Sequence, residues 1–212
     1  METLVQQQYD RLASIYDQRW QFYITRTLSF LVEWARISPD KTVLDVACGT
    51  GELERLLVEQ HSEQTITGVD FSEPMLAIAR QKLEARPSVT FQQASAAALP
   101  GPPSDFDVVI CANAFHYFNE PEQVLSEMQR VLRPTGRVVI LDWCRDFLVC
   151  RFCDWVLSRF DPGHQNCYTE AELHELLTRA GYRIQRSQRH RFGFIWGLMA
   201  VEAVPLDKQL NP

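Results

Sequence analysis

Ten residues, Val43 to Glu52, constrain this chain more than any others. The run Val43-Leu44-Asp45-Val46 follows the polar break Pro39-Asp40-Lys41 and has the apolar character of a short buried strand. It turns through Gly49 and Gly51 into Leu53-Glu54-Arg55-Leu56-Leu57, whose leucines recur at helical spacing. Strand, glycine turn and helix together make an anion- and nucleotide-binding corner. Glycine lets the backbone approach a ligand, and the first N–H groups of the helix face it.

Two ligand classes use such a corner. A dinucleotide fingerprint reads G-x-G-x-x-G. Gly49 and Gly51 fill its first two places, but Glu54 stands at the third. A long acidic side chain there works against close helix–strand packing and adds negative charge near a pyrophosphate. Asp45, before the glycines, suits a ligand carrying an ammonium and a sulfonium.

The segment Val43 to Gly51 resembles the first motif of the class I S-adenosylmethionine-dependent methyltransferases, with Ala47 where the common form has glycine. The resemblance continues at Gly68-Val69-Asp70-Phe71-Ser72, at Phe106-Asp107-Val108-Val109 and at Leu132-Arg133-Pro134-Thr135-Gly136-Arg137, and is strong over residues 40 to 145. It implies that S-adenosylmethionine is bound and S-adenosylhomocysteine released. The implied cofactor residues are Asp45 at the amino-acid end, the loop Ala47, Cys48, Gly49, Thr50 and Gly51, and Asp70 on the ribose hydroxyls. Phe71 and Met75 give apolar contact to the adenine. Ser95, followed by Ala96, replaces an aspartate that binds the adenine amino group in the family. Asn113 follows the fourth strand, on the loop that borders the crevice. The pattern Tyr9-Asp10-x-x-Ala13-x-x-Tyr16-Asp17 resembles the N-terminal cap of small-molecule methyltransferases. Tyr16 is the residue expected to close over the methionine end, with Arg19 as a carboxylate partner; packing alone is the alternative for both.

A net charge of −6 over 212 residues argues against a broad phosphate-binding surface and so against nucleic acid. The basic run Arg183, Arg186, Arg189, His190 and Arg191 alternates over both faces of a strand and reads as a solvated edge. The N-terminal residues show no charged-then-apolar leader, and the most apolar stretch, Phe192 to Val201, is too short to span a bilayer. The expected location is cytoplasmic, with at most a peripheral membrane contact. Six cysteines are scattered through the chain, with Cys144, Cys150, Cys153 and Cys167 grouped. Cys150 and Cys153 lie in a helical pattern with no second pair at matching spacing, so they read as small buried hydrophobes rather than metal ligands.

The fold expected is one α/β domain over residues 1–212. It is a Rossmann-like, mostly parallel seven-stranded sheet with helices on both faces and an antiparallel C-terminal hairpin, its strand number and order implied by the resemblance. Residues 1–38 read as a cap of two helices, and 144–168 as a substrate-side insertion rich in aromatics. Ser72 and Asn119 are expected helix caps, Arg133 to Gly136 a turn, and Thr169-x-x-Glu172 a capping box. The expected hairpin pairs Tyr182 to His190 with Phe192 to Ala203.

The activity implied is methyl transfer to a small, partly apolar acceptor: quinone or phenol, lipid headgroup, small acid, or thiol or arsenical. His116, on the loop after strand four among Phe115, Tyr117 and Phe118, is the first candidate base; a poorly solvated imidazole suits that role near neutral pH. Asp142 and His164 are further candidates by position. Two alternatives stand beside this reading: a non-enzymatic nucleoside-binding sensor or scaffold, and a nicotinamide oxidoreductase, which Glu54 opposes.

Overall fold

The computed structural model describes residues 2–160, 166–193 and 196–206. The element order is α1 (Glu2–Ala35), β1 (Val43–Val46), α2 (Glu52–Gln60), β2 (Ile66–Asp70), α3 (Glu73–Lys82), β3 (Val89–Gln93) and β4 (Phe106–Ala112). A 3-10 turn (Phe115–Tyr117) leads to α4 (Pro121–Val131), β5 (Leu132–Trp143), α5 (Leu148–Phe160), α6 (Glu170–Arg179), β6 (Tyr182–Phe192) and β7 (Trp196–Pro205).

The seven strands form one sheet in the order β3-β2-β1-β4-β5-β7-β6. The first five pair in parallel and the last two close the sheet antiparallel, which is the expected Rossmann-like sheet with a terminal hairpin. All four residues of β1 are buried, as expected of a central parallel strand covered on both faces. One apolar layer joins the sheet to α4 and α6 through Leu125, Met128, Leu173 and Leu177. The other joins it to α1 and α2 through Leu28, Leu31, Leu53 and Leu57.

Several expectations at element boundaries are corrected. The N-terminal cap is one helix of 34 residues, not two. Asp17, Gln18 and Arg19, at the expected break, are neither glycine nor proline, and nothing there interrupts the helix ladder. Its second half packs on the sheet while its first half reaches across the carboxyl ends of the strands. Arg133 to Gly136 belongs to the extended segment of β5, as an excursion where pairing jumps from Phe106↔Leu132 to Val108↔Arg137. The cap of α4 is Glu120, not Asn119, without a side-chain hydrogen bond. The hairpin strands run on to Phe192 and resume at Trp196. The basic run is only partly a solvated edge, because Arg186 pairs with Glu202 at 2.8 Å and lies over the Trp34 ring at 4.0 Å.

The remaining caps match the sequence. Ser72 accepts from the Met75 N–H at 3.4 Å, and Thr169 and Glu172 form a complete capping box. Cys150 lies in α5, its thiol donating to the Gly197 carbonyl at 3.2 Å, and burial raises its pKa above the ordinary thiol value. Among the described residues no helix is long and apolar enough to cross a membrane.

Candidate active site

The corner is built by backbone strain and by two strands. After β1 the chain enters the left-handed region at Ala47 (φ 63°), and both Ala47 N and Cys48 N donate to the Val69 carbonyl, at 2.7 and 3.0 Å. This region favours glycine, and alanine there costs roughly 1 kcal/mol. The two glycines have different tasks. Gly49 (φ 56°) faces open space, and its N–H donates to Asp70 Oδ2 at 2.9 Å. Gly51 (φ 77°) caps α2, and a Cβ there would lie 3.0 Å from that of Ala79, so it is demanded by packing against α3.

Asp70 ends β2 with both oxygens held: Gly49 N binds one and Ser72 N the other, at 2.9 Å each. Desolvation raises its pKa to about 6, against the pull of the N–H groups of Ser72, Gly49 and Phe71. It is therefore a carboxylate acceptor at neutral pH.

An acidic pair, Asp45 and Glu54, lies buried beneath the corner. Asp45 does not line the cavity described below, so any hold on the cofactor's amino-acid end runs through structure or water, as expected of it, and not through direct contact. Desolvation, and then the charges of Glu54 and Asp70, push its pKa well above the carboxylate range. Glu54 is fully buried too, and desolvation raises it to about 8 even though Lys82 pulls it down. Asp45 Oδ1 and both Glu54 oxygens have no well-formed hydrogen bond among the described residues, and a proton shared between the two raised acids would satisfy them. The acid in place of the third glycine is accommodated because Gly68, paired with Asp45, has no side chain. A Cβ on Gly68 would lie 2.5 Å from Glu54 Oε1.

Above the corner lies a cavity of about 440 Å³ whose wall includes Tyr16, Ala47, Gly49, Asp70, Phe71, Met75, Ser95, Ala96 and Asn113. Helix α1 is strapped across it. Gln6 Nε2 donates to the Phe71 carbonyl at 2.8 Å, the Ser72 hydroxyl to Asp10 at 2.5 Å, and the Thr50 hydroxyl to Asp17 at 2.5 Å. Lys82 binds Asp17 at 2.8 Å. Thr50 thus serves the strap, and Thr50, Cys48 and Gly51 are not in the wall. Tyr9, Tyr16 and Tyr117 form an aromatic side, with ring centroids 6.0 Å apart for Tyr9–Tyr16 and 5.7 Å for Tyr9–Tyr117. Burial raises the Tyr16 pKa, so its hydroxyl stays neutral. Arg19 is corrected: it is exposed, stacks on Trp20 at 5.8 Å and does not line the cavity. Ser95 Oγ accepts from Ala97 N at 3.2 Å, so its hydroxyl shapes the local turn.

A second constellation lies behind Tyr117 and Asn113. His116 Nδ1 and Asp142 Oδ1 are 2.7 Å apart, and Asp142 also accepts from the backbone N–H of His116 and of Trp143, each at 2.7 Å. Both side chains are buried, and the imidazole packs between Tyr117 at 4.2 Å and Trp143 at 5.6 Å. His116 does not itself line the cavity. His164 falls outside the described residues. Beside this pair, Trp143 Nε1 donates to the Tyr23 hydroxyl at 2.6 Å, and that hydroxyl donates to Asn113 Oδ1 at 2.7 Å. Asn113 Nδ2 reaches the Thr27 hydroxyl at 3.1 Å, and its own backbone is left-handed (φ 57°). Trp196 packs on both Tyr23 and Trp143, at 5.0 and 5.2 Å. Tyr23, Trp143 and Trp196 were not legible as site residues; the one signal was the seven-residue recurrence of Tyr9, Tyr16 and Tyr23, which keeps a helix face.

A family model described as a methyltransferase domain matches residues 43–136. A 2-phytyl-1,4-naphtoquinone methyltransferase of Thermosynechococcus vestitus is 34% identical over 170 residues, covering 74% of this chain and 73% of that protein. The chain belongs to the class I S-adenosylmethionine-dependent methyltransferases. A demethylmenaquinone methyltransferase of Thermus thermophilus is 43% identical over 130 residues, 57% of this chain and 59% of that protein. The chain thus spans about three fifths of the length of the demethylmenaquinone methyltransferases it matches. A chain in the solved complex of the Haloferax volcanii Trm112 methyltransferase activator with a methyltransferase shares the fold. It has a TM-score of 0.85 at 18% identity, covering 98% of this chain and 100% of that one.

Proposed function

We propose that this methyltransferase alkylates a quinone-type acceptor in its reduced, phenolic form. The observation that carries the reading is the cavity itself. One end is the Gly49–Asp70 corner, the side is a wall of tyrosines, and the His116–Asp142 pair lies behind that wall. The curated relatives named for naphthoquinone and menaquinone substrates favour a fused aromatic acceptor, and Tyr9 and Tyr117 in the cavity wall offer such a ring aromatic surface. Segment 144–168 is read as the acceptor-side insertion, within a single domain.

S-adenosylmethionine supplies a methyl group on a sulfonium, an electrophile whose leaving group needs no acid. The chain's own residues do the rest. Asp70, ionised above about pH 6, accepts from the ribose hydroxyls. Phe71 and Met75 cover the adenine. Tyr16 and Tyr117 present aromatic faces to a positive centre, worth roughly 0.5–2 kcal/mol. Asp142 accepts a hydrogen bond from His116 Nδ1, which leaves Nε2 to receive the phenolic proton of an acceptor that reaches past Tyr117. The role of Asp142 in this scheme is to position the imidazole.

The test is turnover with a short-tailed demethylmenaquinol and labelled cofactor. His116→Ala is expected to lower turnover about a hundredfold while S-adenosylhomocysteine affinity stays near wild type, with partial recovery at high pH. Failure of the wild type to label any quinol, with cofactor binding intact, contradicts the acceptor class. Retention of most turnover by His116→Ala contradicts the base.

A further inference from the structure

We propose that the outward face of α5, together with the exposed Ile15–Phe22 stripe of α1, is a docking surface for an anionic lipid bilayer, from which the apolar acceptor is drawn. This deepens the proposed function and rests on it for its purpose, although the docking can be read without any acceptor.

Among the described residues, every exposed large apolar side chain except Leu206 lies on one of these two helices. On α5 these are Leu148 at 78% exposed, Phe152 at 63% and Trp155 at 52%. Their spacing of four and three residues places them on one stripe of the helix. Arg151 and Arg159 are exposed on the same helix, Arg159 over the Trp155 ring at 5.0 Å. The single acid of α5 is turned the other way: Asp154 accepts from the Cys167 N–H at 3.0 Å and lies 3.7 Å from Arg145. Helix α1 repeats the arrangement. Ile15 and Phe22 are exposed, Arg26 lies over Phe22 at 5.4 Å, and Arg11 and Arg19 stand outward. Of its acids, the two nearest these side chains, Asp10 and Asp17, are committed inward, to Ser72, Thr50 and Lys82.

A chain of net charge −6 thus keeps acids off the exposed apolar stripe of α5, and off that of α1 from Arg11 to Arg26; the exposed Glu33 lies about two turns further along α1. None of Arg11, Arg19, Arg26, Arg151 and Arg159 enters an ion pair among the described residues. Aromatic and aliphatic side chains flanked by arginine fit the headgroup region of a negatively charged bilayer, where rings sit at the interface and guanidinium groups meet phosphate. A protein partner would not demand this separation of charge. The position fits as well. Cys150, near the start of α5, is hydrogen-bonded to Gly197, and Tyr23, next to Phe22, packs on Trp196. Both helices therefore border the start of β7, beside Trp143 and His116.

The experiment is co-sedimentation of the full chain with vesicles of phosphatidylcholine containing phosphatidylglycerol, and with vesicles of phosphatidylcholine alone. The wild type is expected to bind the anionic vesicles, and to be released as salt is raised. The double variant Phe152→Glu, Trp155→Glu is expected to bind them about tenfold more weakly or worse, and Arg151→Gln with Arg159→Gln to lose the preference for them. These positions are exposed, so S-adenosylhomocysteine affinity should be unchanged and reports correct folding. Equal binding to both vesicle types, no binding, or variants that bind like the wild type would overturn the proposal. So would a wild-type dimer in light scattering that the Phe152, Trp155 double variant dissociates, because the face would then belong to a second copy. Vesicle binding without methylation of any quinol would instead contradict the acceptor reading and leave the docking surface standing.

Discussion

The two ends of the site are made in opposite ways. The corner at β1, β2 and α2 is a construction of backbone: left-handed residues at Ala47, Gly49 and Gly51, N–H groups aimed at Asp70, and acids buried beneath. The acceptor end is a construction of side chains brought from far apart, with Tyr23 bonded to Asn113 across 90 residues and Trp143 to Tyr23 across 120. The first kind of site holds a constant ligand and tolerates little change at its few positions. The second can be recut by changing rings, as suits the part of a methyltransferase that meets a varying acceptor.

If that contrast is right, the acceptor end is broken most easily at its hydrogen bonds. Tyr23→Phe removes the donor to Asn113 and the acceptor of Trp143, both in the interior. A loss of roughly 1–3 kcal/mol of stability is expected, together with a rise in KM for the acceptor larger than the change in cofactor affinity. Chemical denaturation and steady-state kinetics on the same preparation separate the two. Equal loss of both affinities would erase the distinction between the ends.

The corner is sharpened by its buried acids. Glu54, raised to about 8, keeps in the folded state a proton that the unfolded chain releases near the ordinary carboxylate value. The stability it contributes is therefore full below the unfolded pKa and is lost as pH rises through about 8, and Asp45 is shifted in the same direction. Thermal unfolding from pH 5 to pH 8 should show a falling midpoint, and Glu54→Gln should flatten that fall. A variant whose midpoint declines as steeply as the wild type would show that the pair does not hold the proton. The smallest effect is at Ala47. Ala47→Gly should stabilise by about 1 kcal/mol through relief of the left-handed backbone, measured by urea unfolding.

The same contrast explains what the sequence made legible. Val43 to Gly51, Asp70 and the caps at Ser72 and Thr169 are local patterns, in which each residue's neighbours in sequence are also its neighbours in space. Their placement could be read before the fold. The partnership of His116 with Asp142 needs β4 and β5 side by side, and the Tyr23–Trp143–Trp196 cluster needs α1, β5 and β7 together; no spacing announces either partnership, and the recurrence of Tyr9, Tyr16 and Tyr23 gives only the helix face. Arg19 was misplaced because it is turned about 60° around the helix from Tyr16, enough to leave the cavity for the surface. The burial of Asp45 was not legible, because nothing local says that Glu54 and Gly68 form a closed compartment with it. The long first helix was divided because its apolar pattern changes from the cavity half to the sheet half without any break in the backbone.

The most direct test of the site is calorimetric titration of S-adenosylhomocysteine into the wild type and Asp70→Ala across pH. Because Asp70 titrates near 6, wild-type affinity should be steady above pH 7 and fall as pH drops through about 6. Asp70→Ala should bind roughly tenfold to a hundredfold more weakly at neutral pH and lose that acid limb. Near-wild-type affinity in Asp70→Ala, with the acid limb unchanged, would contradict the placement of the cofactor in this cavity.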